Sequence, residues 1–343
     1  MTITHDFPAV TQIPALWCPI DLRLHPEAEG ADDRLFTWAR KFDLIRSDAA
    51  ADRFYQAGYG YFCAATYPRA QRLDLMSEWN AYNWILDDLL DEGHKDATHE
   101  DRIRICREVL AQMPVNLRAP RPTSPLTAAV ADLWERSAPP MSVAWRKRYV
   151  AHYADWVGQS MLQHLPSEPE DAASLYTHLR RRRIHSGCEL SFDLIETGNL
   201  SEVPEEVTQV DAYEAVRASA SDAICWTNDV YSIRKETARG DHDHLVPFLR
   251  ERQETDWDGA LDAAAGMIET ATRDYQSACR DLRALRPLFT MSDEEWSRVE
   301  DSMSDLGLWI AGSLHWHRWS PRYSVVETTP DGSTPSYIEW HVA

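Results

Sequence analysis

Along most of the chain apolar residues return every three or four positions, the spacing of one buried helical face, and β-branched alternation is almost absent. The pattern predicts helices over 34–45, 50–65, 72–92 and 99–113, within a total of about ten helix-length pieces. Pro, Gly and polar clusters break it at 116–125, 139–140, 166–171, 199–206 and 240–243. No internal repeat and no Gly, Ser or Pro linker divides the chain, so residues 1–330 read as one all-α domain. Pro8, Pro14 and Pro19 deny helix to the opening, expected as an extended arm over 1–21 that lies on the body. Periodicity lapses after Pro330, and 331–343 reads as a partly ordered extension.

Composition narrows the function. With 55 acidic against 35 basic residues the formal net charge is -20, which argues against nucleic acid or an anionic membrane as partner. An anionic ligand would then need a local arginine cluster or metal cations held by carboxylates. The six cysteines are scattered singly, with no CxxC pair, and read as reduced core residues. The start MTITHDFPAV has no basic region followed by an apolar one, and no stretch approaches the ~18 apolar residues of a membrane span. The expectation is a soluble cytoplasmic protein with no stable membrane insertion; a homodimer is compatible with it. Fourteen Trp supply π faces suited to packing or to holding a cation.

Three clusters carry candidate chemistry. In NWILDDLLDEGHKD, Asp87 and Asp91 share one helical face while Asp88 and Glu92 form a neighbouring row. Four acids so close repel unless cations or arginines offset them, and hard oxygen ligands suit Mg2+. In ICWTNDVYSIRKE, Asn228, Ser232 and Glu236 fall at four-residue steps, one stripe of carbonyl, hydroxyl and carboxylate oxygens that can hold the same ion. The dense cationic run is Arg180 to Arg183 ahead of Gly187; at least one guanidinium should face inward, where it can grip phosphate with two donors.

The two oxygen-rich motifs, in this order, resemble those of bacterial class I terpene synthases, which carry DDxxD/E on one helix and ND-x-x-S-x-x-K/R-E on a facing one. The resemblance runs from about Trp17 to Tyr323. It implies an all-α helical barrel around a central apolar cavity, and metal ligands at Asp87, Asp91, Asn228, Ser232 and Glu236, with Lys235 as a phosphate contact. Asp91 is read either as a ligand or as a group that orients Arg183 or Arg322. Arg183, followed by Ser186 and Gly187, resembles the family's diphosphate-sensing arginine and helix break, with Arg182 one residue away as the contender. Gly187 would interrupt its helix and turn a carbonyl toward the substrate. The pair Arg322-Tyr323 resembles the terminal Arg-Tyr that donates to diphosphate.

The implied reaction is ionisation of a linear isoprenyl diphosphate by Mg2+, about three ions by the resemblance, then cyclisation or quenching of the carbocation in a dry cavity. Farnesyl diphosphate is the favoured substrate, ahead of geranylgeranyl and geranyl diphosphate. Candidate aromatic walls are Tyr61, Phe62, Tyr82, Trp84, Trp226, Trp309 and Trp316. Isoprenyl diphosphate synthases and squalene- or phytoene-type enzymes fit poorly, because they need a second aspartate-rich motif. The competing reading from another class is a non-catalytic helical binding protein with solvated acidic helices.

Overall fold

The computed structural model describes residues 12–92, 98–163, 175–239 and 244–323. The first helices are α1 (Ala31–Lys41), α2 (Asp48–Ala57), α3 (Tyr59–Thr66), α4 (Leu73–Glu92) and α5 (His99–Ala111). The middle of the chain forms α6 (Pro125–Ser137), α7 (Val143–Gln163), α8 (Leu175–His185), α9 (Cys188–Asn199) and α10 (Glu205–Thr208). The last are α11 (Asp211–Arg239), α12 (Leu245–Arg252), α13 (Trp257–Ala284) and α14 (Asp293–Trp319), followed by a tight turn over Pro321–Tyr323. Among the described residues there is no strand, and no helix is long and apolar enough to cross a membrane.

Starts are written in the sequence. Thr98 and Asp101 cap α5 reciprocally, Ser292 and Glu295 do the same for α14, and Ser124 with Pro125 opens α6. The helix expected over 50–65 is two helices. Gly58 sits between them at φ 67°, a left-handed conformation that ends α2, and a Cβ there would lie 2.6 Å from the Trp319 ring. Such splits raise the helix count above the expected ten or so: fourteen occur in the described residues.

One buried core runs from Leu16 to Trp316. Residues 12–30 hold no regular element but lie on the body: Arg318 donates to the Leu16 carbonyl at 2.9 Å, and the Arg273 guanidinium stands 4.3 Å from the Trp17 ring centre. Residues 1–11 of the expected arm and the extension 331–343 lie outside the described residues. The six cysteines are free thiols; all but the partly covered Cys18 are buried. Helices α3, α4, α7, α8, α9, α11 and α14 surround a cavity of about 170 Å3, which Arg322 and Tyr323 of the final turn also line.

Candidate active site

The cavity joins the two oxygen-rich motifs. Ile85, Leu86, Leu89 and Leu90 are buried on the outer faces of α4, which aims Asp87 and Asp88 inward. Asn228 of α11 lines the same cavity. Asp91, Lys235 and Glu236 lie on helical backbone, but their side chains fall outside the described residues. Asp88 is buried and accepts from Arg322 Nη2 at 3.5 Å, and Arg322 Nη1 donates to the Tyr59 hydroxyl. Among the described groups, the acid that Arg322 meets is therefore Asp88.

Arg182 and Arg183 part ways. Arg182 lines the cavity, 6% exposed, donating to Asp229 from both Nε, at 2.8 Å, and Nη2, at 2.5 Å. Arg183, first choice from the sequence, instead grips Asp222 with Nε at 2.9 Å and Nη2 at 2.7 Å and does not line the cavity. Burial alone would lower the Arg182 pKa, but the Asp229 charge overrides it and fixes the guanidinium as a cation. Burial would likewise raise Asp229, yet Arg182 and His244 outweigh it and hold the carboxyl well below the usual range. Asp229 also accepts from His244 Nδ1 at 3.0 Å and the Leu245 amide at 2.9 Å.

The orientation of Asn228 follows from partners that can each do only one thing. His317 Nδ1 lies 2.7 Å from the Ser313 carbonyl, which only accepts, so Nδ1 carries the proton and Nε2 the lone pair. That lone pair takes Asn228 Nδ2 at 3.2 Å, and the same nitrogen donates to the Tyr323 hydroxyl at 3.1 Å. Arg182 Nη2, a pure donor, meets Asn228 Oδ1 at 3.2 Å. Burial lowers the His317 pKa to about 4, so the ring is neutral near pH 7. His317 did not stand out in the sequence, and Asp229 is the acid of the ND motif, to which no role was given there.

The donor set suits a hard divalent cation. Ser232, one turn after Asn228 on the same face, is 1% exposed, and its Oγ has no hydrogen-bond partner among the described residues. Ser232 does not itself line the cavity that Asp87 and Asn228 share, but a buried hydroxyl left open one helical turn from the Asn228 carboxamide is the kind of oxygen a hard cation takes.

Four of the seven candidate aromatics line the cavity: Phe62, Trp84, Trp309 and Trp316. Phe62 presents tilted or edge contacts to the other three, with ring centres 4.8, 5.2 and 4.8 Å away. Tyr61 is drawn off to His315 Nε2 at 3.0 Å and to Trp319. Tyr82 packs edge-on against Trp79, and Trp226 is buried; neither lines the cavity. Trp156 of α7 does, and no motif marked it. Gly187 breaks α8 from α9 at φ 67° on the cavity wall, as expected. Its carbonyl, however, accepts the Ser191 amide at 3.3 Å, because the residue preceding a helix supplies the first acceptor of that helix.

Comparison with known proteins points the same way. The model for terpene synthase family 2, C-terminal metal binding, matches residues 78–274. Pentalenene synthase of Streptomyces avermitilis is 31% identical over 319 residues, covering 89% of this chain and 91% of that protein. The (-)-beta-caryophyllene synthase, (2E,6E)-farnesyl diphosphate cyclizing, of Saccharothrix espanaensis is 26% identical over 97% of this chain and 94% of its own. Among solved structures, that of a-eudesmol synthase superposes with a TM-score of 0.79 at 23% identity, over 90% of this chain and 99% of that one.

Proposed function

The chain belongs to the bacterial class I terpene synthase family, lyases that act on diphosphates, and from that premise we propose that it ionises farnesyl diphosphate with the help of Mg2+ and cyclises or quenches the resulting carbocation. The observation that carries the reading is that Asp87 and Asn228, from motifs far apart in sequence, line one cavity walled by Phe62, Trp84, Trp156, Trp309 and Trp316. The farnesyl choice is supported by the (-)-beta-caryophyllene synthase relative.

Asp87, Asn228 and Ser232, with Glu236 and Asp91 by the motif, are the residues that would hold the metal. Bound there, Mg2+ would supply Lewis-acid stabilisation of the diphosphate leaving group. The protein's own groups do the rest. Arg182, kept charged by Asp229, and Arg322, beside Asp88, offer fixed donors to phosphate oxygens, and Tyr323 lines the same cavity. Lys235 joins them by the motif. Phe62, Trp84, Trp309 and Trp316 exclude water and face the cationic chain with their π clouds.

The test is release of inorganic diphosphate from farnesyl diphosphate in the presence of Mg2+, with geranyl and geranylgeranyl diphosphate run alongside and products read by gas chromatography. Asp87→Ala and Asn228→Ala should each lower turnover by about a hundredfold or more without unfolding the protein. Full activity in either variant, or no release from any of the three substrates, would defeat the reading.

A further inference from the structure

Helix α4 sends polar groups down the cavity wall below its carboxylates. Asn83 lies one turn before Asp87, and Asn80 about 10 Å before it along the axis. Both line the cavity together with Ser191 of α9. Asn80 is fully engaged: Nδ2 donates to the Tyr67 hydroxyl at 3.1 Å and the Met76 carbonyl at 2.9 Å, and Oδ1 accepts from Ser191 Oγ at 3.3 Å.

Asn83 is not. Its Oδ1 accepts from the Tyr153 hydroxyl at 3.1 Å. Tyr153 is wholly buried, and Asn83 is the partner that the described residues give its hydroxyl proton, which fixes the amide with oxygen toward Tyr153 and Nδ2 toward the cavity. No acceptor for Nδ2 is found among the described residues. Once a hydrocarbon chain fills the cavity, a donor left facing it would be penalised by the desolvation of its N–H groups, and a water molecule that accepts from it removes the penalty. Asn80 shares the inward face of α4 with Asn83, and the Ser191 hydroxyl at its tip supplies a second partner, enough to order a water.

We propose that Asn83 holds such a water against the reacting chain, so that the principal product of this enzyme is a terpene alcohol; this rests on the proposed synthase function and refines it. A water that accepts from Asn83 and donates to Ser191 keeps one lone pair free. That pair forms the new C–O bond at the cationic carbon, and the oxonium proton passes to a basic oxygen of the diphosphate already released. The balance is isoprenyl diphosphate plus water giving alcohol plus protonated diphosphate, with no oxidant or reductant.

The experiment incubates the full chain with Mg2+ and farnesyl diphosphate in oxygen-18 water, and counts alcohol and hydrocarbon per diphosphate released. The expected result is alcohol as the main product, carrying the label. Asn83→Leu should lower the alcohol-to-hydrocarbon ratio about tenfold, the weight of one hydrogen bond, and Tyr153→Phe, which frees the amide to turn, should lower it by less. Diphosphate release with only hydrocarbons, alcohol without label, or an unchanged ratio in Asn83→Leu overturns this proposal and leaves the synthase reading intact. No diphosphate release overturns both. Should Asn83→Leu fail to fold, the wild-type labelling and Tyr153→Phe decide.

Discussion

Replacing Asp193 with alanine should cost the fold about 3–5 kcal/mol. Asp193 is fully buried on α9 and does not line the cavity. It accepts from Arg148 Nε at 3.1 Å, Arg217 Nη2 at 2.9 Å and His152 Nδ1 at 2.7 Å, so one carboxylate ties α9 to α7 and α11. Burial would raise its pKa, but His152, Arg217 and Arg148 outweigh burial and keep it ionised. Three charge-assisted bonds at about 1.5–3 kcal/mol each would suggest a larger loss. The neighbours limit it: Arg148 retains Glu196 and Arg217 retains Glu189, leaving about one uncompensated buried charge. Against a total stability of about 5–15 kcal/mol the change is large. Urea unfolding followed by far-ultraviolet circular dichroism should show a lower midpoint at unchanged slope, with Asp193→Asn, which keeps an acceptor, in between. A loss below about 1 kcal/mol for the alanine variant would refute the argument, since a true keystone charge cannot be removed so lightly.

The same cluster makes stability depend on pH. Burial works against the charged form of His152, but Asp193 wins and raises its pKa; its contribution is therefore complete below the unfolded value of about 6.5 and fades as pH rises through the higher folded value. His152→Gln should flatten the stability difference between about pH 6 and pH 9 seen in the wild type; an equal slope in both proteins would count against it. Gly312→Ala should destabilise by about 1–3 kcal/mol and broaden the product mixture, because the new Cβ would lie 2.1 Å from the Ala65 carbonyl oxygen and push α14, which carries Trp309 and Trp316, away from α3. Arg182→Lys should lower diphosphate release about a hundredfold while Arg183→Lys lowers it less than about tenfold; the reverse order in steady-state rates would put the phosphate contact on the wrong arginine.

Much of the fold was legible because α-helical periodicity is a local signal. The helices over 72–92 and 99–113 were expected and occur as Leu73–Glu92 and His99–Ala111, anchored by caps at Thr98 and Asp101 that a reader of sequence can see. The break at Gly58 was not anticipated, since apolar spacing runs on through it. What decides it is the Trp319 ring arriving from the far end of the chain, leaving no room for a Cβ, and that contact exists only after folding.

The site divides along the same line. Spacing on one helix brought Asn228 and Ser232 to one face, and the same four-residue step back from Asp87 would have reached Asn83 had polar residues below the carboxylates been asked for. The choice between Arg182 and Arg183 could not be made that way. Two adjacent guanidiniums on α8 meet two aspartates, Asp222 and Asp229, two turns apart on one face of α11, and either arginine could pair with either carboxylate on chemical grounds. Which arginine reaches into the cavity depends on where α8 crosses α11, a rigid-body quantity that no residue pattern encodes. Once the crossing gives Asp229 to Arg182, the rest follows by elimination: Arg182 can only donate and so takes Asn228 Oδ1, and Nε2 of neutral His317, whose proton sits on Nδ1, can only accept and so takes Asn228 Nδ2. The carboxamide oxygen is thereby held beside the Arg182 guanidinium, and its nitrogen beside His317 and Tyr323.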